Sequence, residues 1–211
     1  MKYLKLKKKK KNKRIRLISG KWKGILLPSL KKTFLRPTLT RVKGVLFDWI
    51  DNLINNNWSI INCIDLFAGS GSLSFEAASR GSKKVFLIEK NKNLVNKLFF
   101  FKKYLNASNV FILKFNSFFF LRRSIFYLKK NKIYKKFNLI FLDPPFYKDF
   151  LPKMIFFCLN LITNDGFLYV ELEHSINELK YYKCMLYWEI INFSKTKKIY
   201  FYILKKKNII I

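Results

Sequence analysis

The sequence predicts an α/β protein built on a mainly parallel sheet with helices on both faces. Three observations carry this. From Ile60 to Glu171, apolar runs of strand length alternate with segments whose apolar residues recur at helical spacing, the pattern of successive βα units. The run Phe137-Asn138-Leu139-Ile140-Phe141-Leu142 reads as a strand buried on both faces. It stops at Asp143-Pro144-Pro145-Phe146, because a proline pair offers no N–H to a ladder. Upstream, Asp65-Leu66-Phe67-Ala68-Gly69-Ser70-Gly71 closes another apolar run with a glycine turn. In such sheets ligands bind at the carboxyl ends of the strands, so both segments are candidate site elements.

Composition narrows the partner. The 211 residues fit one domain with an appendage, and half of them are hydrophobic, enough for a sizeable core. Lys+Arg number 43 against 12 Asp+Glu, a formal net charge of +31. That excess points to a polyanion, above all nucleic acid. Lys, Asn, Ile and Phe are abundant along the whole chain, so a share of the charge is expected from genome composition rather than function. Cys63, Cys158 and Cys184 lie far apart with no C-x-x-C, which supports neither a disulfide framework nor a zinc site and fits a reducing cytoplasm. His174 is the one histidine; with no second ligand beside it, it is read as structural, and no metal is expected. The longest apolar runs are too short to span a bilayer, and no signal-peptide core follows the first residues.

The elements follow in order. Residues 1–13 carry eight lysines and read as a basic, disordered tail. Residues 14–35 open with two short apolar-basic runs around Ser19-Gly20, predicting a β-hairpin. Arg14, Arg16, Lys21, Trp22 and Lys23 on its tip and edges suit phosphate contact and base stacking, or else Trp22 covers the surface of the domain. Residues 36–211 form the main domain. Thr38 or Thr40 can cap a helix in which Val42, Val45, Leu46, Trp49, Ile50 and Leu53 share the core face, and Asn55-Asn56-Asn57 ends it. Strands are expected at 60–66, 84–88, 110–113, 137–142 and 167–171. Helices are expected from Leu73 to Ser79, around Leu94–Leu105, at about 118–128 and at 151–161. Asn164-Asp165-Gly166 is expected as the turn into the fifth strand. Two last runs, about 182–193 and 198–204, read as a closing antiparallel hairpin.

The chemistry sits at three successive strand ends. The glycines of 69–71 let backbone approach a ligand closely. Eighteen residues on, Glu89 ends the next strand, where an acid can accept both hydroxyls of a ribose. Ser74 stands where a dinucleotide fingerprint needs its third glycine. Asp143 and the Pro144 carbonyl can accept hydrogen bonds from an exocyclic amine while Phe146 stacks on the ring that bears it. An aromatic amine is a poor nucleophile because its lone pair is delocalised. Two such acceptors favour a pyramidal nitrogen and free that pair, so positioning supplies much of the rate. A base inside a duplex cannot enter such a pocket and must be flipped or unpaired.

The Asp65–Gly71 form resembles the S-adenosyl-L-methionine loop of class I methyltransferases. The chain as a whole resembles the RsmD-type 16S rRNA (guanine(966)-N2)-methyltransferases. The likeness runs through Arg14-Ile15-Arg16, Gly20-Lys21-Trp22-Lys23-Gly24, Leu35-Arg36-Pro37-Thr38, Arg41-Val42, Leu46-Phe47, Asp65 to Gly71, Glu76-Ala77, Ser79-Arg80, Leu87-Ile88-Glu89 and Asp143 to Phe146. The resemblance implies a Rossmann-like, seven-stranded, mainly parallel sheet with an antiparallel C-terminal hairpin, plus an N-terminal hairpin that helps hold rRNA. It implies S-adenosyl-L-methionine as cofactor, held by Thr38, Asp65, Phe67, Ala68, Gly69, Gly71 and Glu89, with Asn116 and Ser117 where the adenine lies. Asp143, Pro144, Pro145 and Phe146 are the catalytic candidates. Arg14, Arg16, Lys21, Trp22, Lys23, Arg36 and Arg41 are the RNA-binding candidates. The substrate implied is 16S rRNA on the small ribosomal subunit or its assembly intermediate, met by a cytoplasmic monomer.

Two positions depart from the family pattern: Thr40 stands where an Asp is usual, and Gly44 where a Glu is common. Both remove negative charge near the expected RNA path, and Gly44 weakens its helix by ~1 kcal/mol relative to Ala. Two other functions stay open at this stage. A DNA adenine-N6 methyltransferase would also use Asp-Pro-Pro-aromatic, although no insertion is long enough for a DNA-reading domain. A non-catalytic RNA-binding assembly factor would use the charge alone.

Overall fold

The computed structural model describes residues 15–27, 40–130, 136–144, 150–178, 181–197 and 199–207, with backbone alone for 40 and 124–130. Residues 1–14 and 28–39, with the tail, Arg14, Arg36 and Thr38, lie outside the described residues, as do Pro145 and Phe146. A small hairpin pairs β1 (Ile15–Arg16) with β2 (Leu26–Leu27). The main elements then follow as α1 (Thr40–Leu53), β3 (Asn62–Asp65), α2 (Ser72–Ser79), β4 (Lys84–Glu89), α3 (Lys92–Tyr104), β5 (Val110–Lys114) and α4 (Ser117–Lys130). They continue as β6 (Phe137–Leu142), α5 (Leu151–Cys158), β7 (Ile162–Leu172), α6 (Tyr182–Met185), β8 (Trp188–Lys195) and β9 (Tyr200–Lys206).

The seven-stranded sheet has the order β5-β4-β3-β6-β7-β9-β8. The first five strands run parallel, and β9 pairs antiparallel with both β7 and β8. This is the expected sheet, with its closing antiparallel pair. Alternate side chains feed two core layers, as the pleat requires. Cys63, Leu139, Phe141, Tyr169 and Ile203 face α1, α2, α3 and the N-terminal hairpin. Ile64, Ile140, Leu142, Val170 and Leu204 face the α4, α5 and α6 side.

Three boundaries differ from expectation. Asn164-Asp165-Gly166 lies inside β7, which starts at Ile162; the register against β6 shifts between Phe137 and Leu139, so these residues form a bulge rather than a turn before the strand. A Cβ on Gly166 would meet the Asn138 carbonyl oxygen at 3.0 Å, which is why glycine stands there. The run from 182 is not all strand: Tyr182–Met185 is a short helix, and pairing begins at Trp188. The strand expected from Ile60 starts at Asn62, because Trp58–Ile60 makes a 3-10 turn that buries Trp58 and lets its Nε1–H donate to Asp51.

Helix α1 carries the predicted core face. Val42, Leu46 and Ile50 are buried, and Val45, Trp49 and Leu53 are partly buried against the same layer. Phe47, on the edge of that stripe, is fully buried between Trp58 and Phe141. Asn55 and Asn56 end the helix in the left-handed region, where asparagine is among the few tolerated side chains.

Candidate active site

Strands β3 and β6 are neighbours, with Cys63 opposite Leu139 and Asp65 opposite Phe141. From this pair the sheet grows one way through β4 and β5 and the other way through β7, β9 and β8. The two strands therefore flank the point where strand order reverses, the crevice in which open α/β sheets hold ligands. Both predicted motifs leave the sheet here.

Local hydrogen bonds fix the loop after β3. The Asp65 carboxylate accepts from Ser74 Oγ at 2.5 Å and from the Phe67 N–H at 3.2 Å. Ala68 N–H donates to the Ile88 carbonyl, and Gly69 N–H to Glu89 Oε2 at 3.0 Å. Gly69 and Gly71 take φ of +52° and +77°, which other residues reach only with strain. A Cβ on Gly71 would also sit 2.7 Å from the Phe75 ring. Asp65 is buried beneath the loop, only 2% exposed, so it shapes the loop instead of lining it. Burial pushes its pKa up to about 7, against the opposing pull of the Ser74 and Phe67 hydrogen bonds.

The donors and acceptors around the loop fit S-adenosyl-L-methionine. Helix α2 follows Gly71, an N-cap with no side chain to bond its first N–H groups, so those groups suit the carboxylate of an amino-acid end. Glu89 ends β4 half-buried, taking one backbone N–H on each oxygen, from Gly69 and Asn91 at 3.0 and 2.8 Å. Each carboxylate oxygen can accept a second hydrogen bond, which suits the two hydroxyls of a ribose. Asn116 and Ser117 lie beyond the end of β5. Asn116 Oδ1 caps α4 by accepting from the N–H groups of Phe118 and Phe119. Ser117 is buried and its hydroxyl donates to the Leu66 carbonyl. Ser117 ties the start of α4 to the segment after β3 and Asn116 caps the helix, structural tasks that the sequence does not reveal.

At the end of β6, Asp143 is half-buried and Pro144 is buried. Leu142 lies opposite Val170, so the next pair along is Asp143 and Glu171. Glu171 is 4% exposed and accepts from the Tyr169 hydroxyl at 2.7 Å. Burial first, then the Glu171 charge and hydrogen bond and the Asp143 charge, hold the Tyr169 pKa well above its usual value. Tyr169 thus stays a donor beneath the site. Neither residue was singled out from sequence; the visible signal was an acid closing an apolar strand, the same one that marked Glu89.

The RNA-binding candidates divide. Lys43, Phe47 and Asp51, spaced four apart on α1, meet Glu76 and Arg80 of α2: Lys43 Nζ is 3.2 Å from Glu76, the Arg80 guanidinium lies 4.9 Å from the Phe47 ring centroid, and Arg80 pairs with Asp51. The two helices therefore run side by side in the same direction. Arg41, exposed in the first turn of α1, lies at the cofactor-loop end. From Arg16 to Trp22 the hairpin runs along α2 towards its C-terminal end. Lys43 donates to the Arg16 carbonyl, Ile18 and Ser19 donate to Glu76, and Trp22 N–H donates to Ser79 Oγ. Its turn, with exposed Lys21 and Lys23, rests on the far end of α2. Trp22 is 6% exposed and belongs to the core; it cannot stack on a base, and of its two readings the covering role is the one the structure supports. Arg16 is exposed on β1. Sequence likeness had flagged Glu76 and Arg80 without a role; their role is this buried clamp.

The fold and this crevice define a class I S-adenosylmethionine-dependent methyltransferase. The family described as Conserved hypothetical protein 95 matches residues 15–203, and the chain belongs to it. "Ribosomal RNA small subunit methyltransferase D" of Buchnera aphidicola subsp. Baizongia pistaciae is 34% identical over 201 residues, 93% of this chain and 94% of that protein. The protein of the same name in Escherichia coli K12 is 34% identical over 165 residues, 75% of each chain. The solved structure of yhhF from Escherichia coli superposes with a TM-score of 0.74 at 27% identity, covering 92% of this chain and 99% of that one.

Proposed function

We propose that this protein methylates the exocyclic N2 amine of a guanine in small-subunit (16S) ribosomal RNA. The observation that carries the reading is the adjacency of two strand ends. The cofactor loop leaves β3 and Asp143-Pro144 leaves β6, side by side at the point of strand-order reversal. Relatives named as small-subunit ribosomal RNA methyltransferases supply the substrate class. No such support exists for a DNA adenine substrate or for a factor without catalysis.

Glu89 would hold the ribose of S-adenosylmethionine, and the uncapped start of α2 its carboxylate. The cofactor when bound supplies an electrophilic methyl group. Asp143 and the Pro144 carbonyl accept hydrogen bonds from the guanine amine and orient its lone pair towards that methyl. Attack would form the N–CH3 bond as the methyl–sulfur bond breaks, leaving a neutral thioether, and the Asp143 carboxylate would stabilise the positive nitrogen until its proton passes to solvent. Glu171, fixed by Tyr169, adds negative charge beside Asp143. Phe146 stacks on the base. Lys21, Lys23, Arg16 and Arg41, with Arg14 and Arg36, contact phosphates. The substrate is presented on the small subunit or an assembly intermediate, and one copy of the chain suffices for the site.

The test is Asp143→Asn. Asparagine keeps the size but turns an NH2 towards the substrate amine, at roughly 1–3 kcal/mol. Single-turnover methylation of small-subunit RNA should fall ~10-fold or more, with cofactor affinity unchanged by calorimetry. Wild-type rates in that variant would remove Asp143 from the chemistry.

A further inference from the structure

The half of the sheet beyond Asp143 carries a feature that neither the cofactor nor the target amine explains. Strands β9 and β8 close the sheet on the side of β6 away from the cofactor loop. The register draws one row across them. Leu142 opposite Val170 puts Asp143 level with Glu171, Glu171 pairs with Phe201, and Phe201 pairs with Ser194. Phe193 and Lys195, on either side of Ser194, therefore stand at the same carboxyl edge as Asp143. β8 lies three strand spacings from β6, about 14 Å at roughly 4.8 Å each. A bulge decides which side chain stands there. Ile190 pairs with Leu204 but Asn192 with Ile203, so β8 holds one extra residue, and Phe193 rather than Asn192 faces Tyr202. Re-aiming a side chain is what such bulges do. The Phe193 ring centroid lies 4.9 Å from that of Tyr202 and 6.2 Å from that of Tyr200, with planes 24° and 17° apart. Phe193 is 48% exposed. Lys195 and Lys197 are exposed beside it. They belong to the turn Lys195-Thr196-Lys197-Lys198, which is closed where Thr196 N–H donates to the Ile199 carbonyl and Ile199 N–H to Thr196 Oγ1.

We infer that this closing hairpin is a platform for the RNA substrate: an unpaired base near the target guanine stacks on Phe193, and Lys195 and Lys197 neutralise its phosphates. The inference rests on the RNA substrate proposed above. A guanine taken out of its stack leaves neighbours that have lost a stacking partner, and an aromatic face offers them another. A half-exposed ring beside cations holds single-stranded nucleic acid in this way, by stacking and phosphate neutralisation without base readout. Cross-strand aromatic pairs also stabilise a hairpin, and Tyr202 does so here: it is 3% exposed, and its hydroxyl accepts from the Ile176 N–H at 3.3 Å. Phe193 is the outer ring of the set, half in water, where a polar side chain would serve the hairpin equally well. Charge agrees. Glu173, next after the Leu172–Tyr200 pair, brings one carboxylate to this edge, and the three lysines of the turn outnumber it. Tyr202 projects to the α6 face and Tyr169 to the other. The strand would therefore cross the carboxyl edge between the guanine at Asp143 and the base on Phe193, a course open to a bent single strand.

The experiment uses the full chain and two RNA probes, oligouridylate and small-subunit rRNA, with the variants Phe193→Leu, Phe193→Trp and Lys195→Ala/Lys197→Ala. Leucine keeps an apolar contact with Tyr202 and removes the ring. The lysines are exposed on the turn, so their variant tests the platform even where leucine disturbs the hairpin. Phe193→Leu should bind oligouridylate roughly tenfold more weakly at an unchanged salt slope, and Phe193→Trp should bind at least as tightly as the wild type. In the lysine variant the slope of log affinity against log salt should shrink by about 1.4, about 0.7 for each lost phosphate contact. S-adenosylmethionine affinity, measured without RNA, should stay at the wild-type value in all three. Wild-type RNA affinity in Phe193→Leu together with a wild-type slope in the lysine variant would make the rings a strut of the hairpin and overturn the inference. A concentration-dependent dimer of the wild type that Phe193→Leu abolishes would give this face to a second copy and overturn it too. The wild-type control keeps the two readings apart: a wild-type chain that binds RNA yet methylates none of it overturns the proposed function, while affinities and slopes still decide the platform.

Discussion

Two buried acids meet α2, one beneath its start and one at its middle, and they are held in opposite ways. Asp65, under the cofactor loop at the start of the helix, is answered among the described residues by a neutral hydroxyl and one backbone N–H. Glu76 is fully buried midway along α2. It faces Lys43 at 3.2 Å and Arg80 at 3.2 Å and takes the N–H groups of Ile18 and Ser19. Desolvation lowers the Lys43 pKa, and Glu76 acts against that shift. The start of the helix thus leaves donors for a ligand, while its middle is closed by Lys43 and Arg80 and, beyond it, by the hairpin. The contrast shows that the N-terminal appendage is no independent arm. It is fixed to the same helix that carries the cofactor loop.

The largest effect should come from the closed middle. Glu76→Ala takes the carboxylate from buried Lys43, leaves half-buried Arg80 with Asp51 alone, and leaves two backbone N–H groups without their acceptor; removal of one partner from a buried ion pair costs about 3–5 kcal/mol. Urea unfolding should show a loss of that size. A loss below about 1 kcal/mol would mean water enters the clamp, and the contrast with Asp65 would vanish. A narrower probe is Gly20→Ala. Gly20 has φ of +75°, and a Cβ there would lie 1.9 Å from the Ser79 carbonyl oxygen. The backbones must part, at roughly 1–3 kcal/mol, measurable in the same unfolding assay. Cofactor affinity should hold, because the clash is at the end of α2 away from the loop.

The open end is tested by pH. The Asp65 pKa is raised from 3.8 to about 7 in the folded chain. A carboxyl with a raised folded pKa stabilises most below its unfolded value, and that contribution is lost as pH rises through the folded one. Between about pH 4 and pH 7, wild-type stability should therefore fall relative to Asp65→Asn by about 1.4 kcal/mol per pH unit. Parallel stability–pH curves for the two proteins would show that Asp65 ionises as an exposed carboxyl does.

Much of this was legible in the sequence. Alternating strand and helix periods fixed the layer order, and Gly69, Gly71, Glu89 and Asp143-Pro144 marked three strand ends, because glycine turns, terminal acids and proline stops are local signals. Trp22 was not legible in the same way: a tryptophan between two lysines looks exposed until Ser79, 57 residues on, is seen to fix its backbone. Glu76, Lys43, Asp51 and Arg80 form their clamp only across the gap between two helices, and no spacing within one element encodes that. Nor does the bulge at 164–166 show, since Asn-Asp-Gly signals a turn equally well inside a strand.

The smallest effect concerns the hairpin turn, and it separates location from charge. Lys21 and Lys23 are exposed, so Lys21→Ala/Lys23→Ala should change stability by less than about 0.5 kcal/mol. The turn rests on the far end of α2, a helix of eight residues, roughly 12 Å long at about 1.5 Å per residue. Phosphates held there belong to RNA remote from the reacting amine. The double variant should therefore flatten the salt dependence of RNA binding by about 1.4 while leaving the methylation rate at saturating RNA unchanged. Arg41→Ala, at the loop end of α1, should reduce that slope by about 0.7 and lower the saturated rate as well, because it would orient RNA beside Asp143. Equal effects of the two variants on the saturated rate would mean that the two ends of α2 do not divide the work.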